Sequence, residues 1–134
     1  MKTKLTSLLI FLALTIAFSC SKDSDDYRED YTGSWSFNIL TTKVNIDSIG
    51  QMEFDTLKYE GKITKGNADN EITIQYTGNH KITLIIDESG SLSGFPTQYC
   101  NGAFESKDKM HLYLRWGGLG GFEAHEIEGI KINL

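Results

Sequence analysis

Histidine and cysteine are among the residues of this chain whose side chains could act as bases, nucleophiles or metal ligands. The sequence has three histidines, His80, His111 and His125, and two cysteines, Cys20 and Cys100. They do not have the four-ligand spacing of a structural zinc site. A lone Cys100 between apolar residues is typical of a small buried side chain rather than of a nucleophile. We therefore predict no catalytic residue, no metal, no cofactor and no enzymatic activity.

Each histidine has an ordinary structural interpretation. His125 and Glu126 are neighbours in a predicted strand, so their side chains point to opposite faces and do not form a metal site. His111 alternates with the apolar residues of its segment, which places it on the water-facing side. His80 follows the turn residues 78–79, and we expect it to be solvated.

Cys20 stands directly after a segment that has the features of an export signal. Two lysines precede the apolar run 5–18, whose length suits the core of a signal peptide. A membrane-spanning helix needs about 20 apolar residues. Ala17 and Ser19 are the small residues expected before a cleavage site. Residues 1–19 are therefore predicted to be a signal peptide.

The residues Ala17-Phe18-Ser19-Cys20 resemble the lipobox of bacterial lipoproteins, in which the cysteine is acylated and becomes the N-terminus. The resemblance implies lipidation of Cys20, acyl chains as the membrane anchor and the outer membrane of the cell envelope as the location. The acidic residues 22–26 look like surface-display signals of some Gram-negative lineages. Because Ala-Phe-Ser also suits ordinary secretory cleavage, a periplasmic or secreted protein is the alternative.

The composition limits the partners and the number of domains. Residues 20–30 are acidic and poor in apolar side chains, and they predict a disordered tether after the lipidated cysteine. Residues 31–134 suffice for a single domain, which we expect to be monomeric. The formal net charge of the whole chain is −5, so there is no basic footprint for nucleic acid.

A period of two runs through almost the whole of residues 31–134. Apolar residues alternate with polar ones in seven to nine segments separated by Gly, Asn and Asp turns, as in antiparallel strands with one buried face. The clearest segments are 35–39, 57–63, 72–76, 82–86 and 110–116. The pattern predicts an all-β, up-and-down antiparallel meander of about eight strands, closed into a barrel or folded as a β-sandwich.

The residues Gly33-Ser34-Trp35 at the start of the first strand resemble the first signature of lipocalins and other calycin barrels. The resemblance implies a small lipocalin-like barrel in which Trp35 packs across the closed end. It also implies that a late basic residue, Arg115 or Lys131, stacks on that tryptophan. The chain is shorter than a typical lipocalin, which argues against a deep cavity.

The predicted function is non-enzymatic binding through one end of the barrel, by a lipid-anchored envelope protein. The occupant would be a small apolar ligand or a protein partner. Aromatic side chains are the candidates for the lining of the site: Trp35, Phe95, Tyr99, Trp116 and Phe122. The alternative is a structural or interaction module of a surface complex that uses strand edges and the glycine-rich tip 117–121.

Overall fold

The computed structural model describes residues 26–45, 47, 51–94, 96–97 and 99–133. A short 3₁₀ helix, Tyr27–Tyr31, precedes the strands. The strands are β1 (Gly33–Asn45), β2 (Met52–Lys65), β3 (Glu71–Gln75), β4 (Lys81–Ile86), β5 (Ser91–Ser93), β6 (Tyr99–Ser106), β7 (Lys109–Gly118) and β8 (Gly121–Lys131).

Each strand pairs antiparallel with the next, and β8 pairs with β1 to close the barrel. This confirms the predicted all-β meander and decides for a barrel against a sandwich. Closure gives the backbone hydrogen-bonding groups of the first and last strands a partner in each other. The turns 66–70, 87–90 and 107–108 define the closed end. The connections 76–80 and 119–120, with residues 94, 96 and 97, define the open end.

The core is made by the inward residues of the alternating pattern. Trp35, Phe37 and Ile39 of β1 are almost completely buried, whereas the residues between them are exposed. Phe37 lies opposite Gly129 of β8. A side chain at Gly129 would come within 3.0 Å of the Phe37 ring, so this glycine makes room for the aromatic ring. Large side chains thus fill the closed half of the barrel.

The N-terminal 3₁₀ helix covers the closed end. Trp35 Nε1 donates a hydrogen bond to the carbonyl of Tyr31 at 2.9 Å, and Tyr31 stacks on Phe104 at 4.2 Å between ring centroids. The Tyr27 hydroxyl donates to the carbonyl of Ile86 at 2.9 Å. Trp35 therefore lies where the lipocalin resemblance placed it.

The two basic residues that the resemblance offered for stacking on Trp35 make other contacts. The Arg115 guanidinium lies 4.1 Å from the centre of the Phe122 ring, on the outside of the barrel, and does not stack on Trp35. Lys131 stands beside Trp35 in the β1–β8 register, and its Nζ donates to the carbonyl of Asp30. A cation at the closed end thus binds the backbone of the 3₁₀ helix.

Contacts at Asp26 and Arg28 attach the described segment before β1 to the barrel. The Asp26 carboxylate accepts hydrogen bonds from the backbone and side chain of Arg28, and the Arg28 guanidinium donates to the carbonyl of Glu71. These contacts join the predicted tether to the barrel. The signal peptide, Cys20 and the residues up to 25 lie outside the described residues. The part of the chain that the structure describes has no helix that could span a membrane.

The strands differ in length, and this difference shapes the open end. β1 and β2 pair over twelve positions, from Gly33–Ile63 to Val44–Met52, whereas β2 and β3 pair over only four. At the open end, β7, β8, β1 and β2 therefore continue as a wall above the short β3–β4 hairpin. Within the described residues, no strand lies beside this upper part of β2 on the side away from β1.

Candidate functional site

The open-end cleft is a depression of about 510 Å³ between the wall and the β3–β4 connection. Inward residues of β1, β2 and β8 line one side, and residues 77–80 line the other. The lining is mixed in character: Ile39, Thr41, Lys43, Glu53, Phe54, Asp55, Leu57, Thr77, Gly78, Asn79, His80, Glu123 and His125. Its volume is in the range of small-ligand pockets, but its polarity is higher than a purely apolar ligand would favour.

A chain of polar side chains crosses the base of the cleft. The Tyr76 hydroxyl lies 3.0 Å from His125 Nδ1, and His125 Nε2 lies 2.9 Å from a carboxylate oxygen of Glu123. Lys43 Nζ lies 3.5 Å from the other oxygen of Glu123. With a neutral ring, Nε2–H donates to Glu123 and Nδ1 accepts from the tyrosine. Both ring nitrogens are therefore occupied.

The pKa shifts of these side chains favour a neutral His125 imidazole beside an ionised Glu123 carboxylate. Burial lowers the pKa of His125, against the opposing effect of Glu123. The hydrogen bond from His125 is the main reason why the pKa of Glu123 is lowered. Burial also raises the pKa of Tyr76, which keeps its hydroxyl protonated as a donor. Because Tyr76 is completely buried, its hydrogen bond holds the His125 ring in place on one side of the cleft.

His80 brings a second imidazole to the cleft. The side chain is exposed, but its ring packs 5.6 Å from Tyr76, 5.1 Å from His125 and 6.2 Å from Trp116 between centroids. The expectation of a freely solvated turn histidine is therefore only partly correct. The His80 ring belongs to a group of aromatic rings where the β3–β4 connection meets β7 and β8.

Two carboxylates on the inner side of β2 complete the cleft. Glu53 and Asp55 are two residues apart in the strand, so their side chains point to the same side. Both are exposed, and neither has an ion pair or a side-chain hydrogen bond with another residue of the described ranges. Since Glu123 is already paired with Lys43 and His125, these two carboxylates give the cleft an excess of negative charge.

The predicted aromatic lining is distributed over three places. Trp35 is part of the solid core, and Tyr99 is 54% exposed, with its ring against Tyr113 on the outside. Trp116 and Phe122 are half-buried and lie together at the rim, where they line a second depression of about 470 Å³. Phe95 lies outside the described residues.

Cys100 is half-buried and does not line the open-end cleft. Cys100 packs against the core, and burial raises the pKa of its thiol, which disfavours the reactive thiolate. Among the described residues, no group of three or more His, Cys, Asp or Glu side chains could hold a metal ion.

Glu123, and not the neighbouring Glu126 considered from the sequence, is the partner of His125. Residues two apart share a face of a strand, so the sequence carried a signal for this pair. Glu126 points away from His125 and is exposed. Tyr76 could not be paired with His125 in this way, since the two come from different strands that meet only in the closed barrel.

Comparisons of the chain with protein-family models, curated proteins and solved structures found no match.

Proposed function

We propose that this chain is a lipid-anchored, non-enzymatic protein of the bacterial envelope that binds its ligand or partner at the open end of a lipocalin-like barrel. The supporting observation is the contrast between a closed end filled by aromatic side chains and an open end that carries the cleft. Because the closed half is solid, the binding surface is a rim cleft rather than a deep internal cavity.

The chain enters the barrel at the closed end, which supports an orientation of the cleft. Tyr27 and Arg28 attach the N-terminal segment to the closed-end turns. The residues between Cys20 and Asp26 span at most about 20 Å when extended. An acylated Cys20 would therefore hold the closed end near the membrane and direct the cleft away from it.

Lipidation can be tested by expressing the chain with its own leader in a Gram-negative bacterium. We expect the mature protein to fractionate with outer membranes and to show the mass of the chain from Cys20 plus acyl groups. Cys20→Ser should prevent acylation, while Cys100→Ser should leave it intact. An unmodified soluble protein that begins at Cys20 would contradict the anchor and support secretion.

Binding can be tested separately with a soluble form that begins at Ser21 and keeps every described residue. Native mass spectrometry after purification from cells should reveal a co-purifying small molecule if the cleft holds a small apolar ligand. A mass equal to that of the bare chain would favour a protein partner at the same end.

A further inference from the structure

The edge of β2 at the open end lacks a second neighbouring strand. β2 pairs with β1 from Met52 to Ile63, but its pairing with β3 begins only at Lys62. β3 ends at Gln75, and the backbone N–H of Tyr76 donates to the carbonyl of His80 in the β3–β4 connection. On one side, residues 52–61 therefore have no partner strand in the part of the chain that is described.

This free edge is long and carries both exposed apolar side chains and charged ones. It contains no proline, and its apolar side chains are unusually exposed: Met52 is 59%, Phe54 65% and Leu57 45% accessible. Natural proteins usually shorten, bend or charge such edges, because unpaired N–H and C=O groups can pair with another chain. Four of the ten residues 52–61 are charged, so this edge could accept only a strand whose own side chains match those charges.

The free edge borders the open-end cleft. β2 side chains at Glu53, Asp55 and Leu57 form one side of the cleft, and residues 77–80 form the opposite side. A strand added beside β2 would occupy the space between them. Its alternate side chains would enter the cleft, and the others would lie outside next to Phe54.

The charge of the cleft indicates which side chains it would accept. Glu53 and Asp55 face the cleft without an ion pair among the described residues, whereas Lys43 is 3.5 Å from Glu123. A lysine or arginine from an added strand would provide the missing opposite charge. The exposed Phe54 on the outer side would contact an apolar side chain.

We propose that the open-end cleft binds an extended peptide segment of a partner protein as an additional strand on β2, with basic side chains directed to Asp55 and Glu53. The proposal rests on the function proposed above and names the kind of occupant. Backbone hydrogen bonds to residues 52–61 would supply affinity, and alternate basic and apolar side chains would supply specificity.

The test uses a displayed library of random peptides of about ten residues, which matches the length of the free edge. The soluble form that begins at Ser21 is the bait. We expect selected peptides to carry Lys or Arg at every second position and to slow amide hydrogen exchange in residues 52–61. Failure to select peptides, or selected peptides that leave those amides unchanged, would overturn the proposal.

Two variants with the same charge change provide the matched control. Asp55→Lys lies on the cleft side of β2 and should weaken binding of a selected peptide about tenfold or more. Glu126→Lys, on the outer side of β8 and away from the free edge, should have little effect. Equal weakening by both variants would indicate general electrostatic attraction and would contradict the proposed site. Because both positions are exposed, thermal unfolding should show that both variants fold.

The outcomes separate this inference from the general function. A small molecule that shifts the NMR signals of His80 and His125, together with failed peptide selection, would preserve binding at the open end and refute strand addition. Edge amides already protected in the free protein would show that its own chain covers β2, and this also would refute the proposal.

Discussion

The two ends of the barrel are built from similar strands but are completed in different ways. At the closed end, Trp35 and Tyr31 connect the N-terminal helix to the core, and the short turns leave little space. At the open end, β2 extends beyond β3 and leaves a cleft, a free strand edge and exposed apolar side chains. The comparison shows how unequal strand lengths give one small barrel a packed end and an open end.

The largest expected effect is a difference in stability between alanine variants of the two tryptophans. Trp35→Ala should lower the free energy of unfolding by about 3–5 kcal/mol, because it leaves a cavity at the packed closed end. Trp116→Ala should cost about 1–2 kcal/mol, since Trp116 is half-buried at the rim. Urea unfolding of both variants gives the two values. Similar losses would contradict the assignment of stability to the closed end.

A smaller effect is the pH dependence of the free energy of unfolding that arises from His125. Its folded-state pKa is lowered by burial, so the unfolded chain takes up the proton first as the pH falls. The free energy of unfolding should therefore decrease below about pH 6.5, by at most about 1.4 kcal/mol per pH unit. Urea unfolding at several pH values between about 6.5 and 5, above the range in which carboxylates usually titrate, measures this slope.

His125→Gln should flatten the slope, because an amide does not titrate in this range. His111→Gln, on the exposed face of β7, should retain the slope of the natural protein. The groups that face His125 are Tyr76, His80 and Glu123, with Lys43 behind the carboxylate. An unchanged slope in His125→Gln would contradict the assignment of this pH dependence to His125.

The orientation of the barrel can be measured with the same two tryptophans as probes. A lipid attached to Cys20 in a Cys100→Ser background anchors the protein to vesicles that contain an energy-transfer acceptor lipid. The variant with Trp35 alone should transfer more energy than the variant with Trp116 alone, because Trp35 lies at the closed end near the tether. Equal transfer, or the reverse order, would contradict a cleft that points away from the membrane.

Much of the barrel could be predicted from local alternation. Met110, Leu112 and Leu114 follow a period of two and are buried as expected, and Trp35 lies at the closed end as the resemblance implied. In these segments both neighbouring strands are present, so an apolar face necessarily meets the core.

The open end could not be predicted in the same way. Leu57 continues the same alternation but is 45% exposed, because the strand passes the end of β3. Alternation identifies which residues share a face, whereas the length of the neighbouring strand decides whether that face is covered. The Tyr76–His125 contact likewise depends on barrel closure, and no local pattern encodes it.

Site-specific photo-crosslinking in living cells of the source organism compares the two ends most directly. A photoreactive amino acid replaces Phe54 at the open end or the exposed Lys107 at the closed end of the lipidated protein. We expect ultraviolet light to produce a discrete adduct from position 54 and none of the same mass from position 107. An adduct only from position 107 would contradict binding at the open end and would assign it to the closed end.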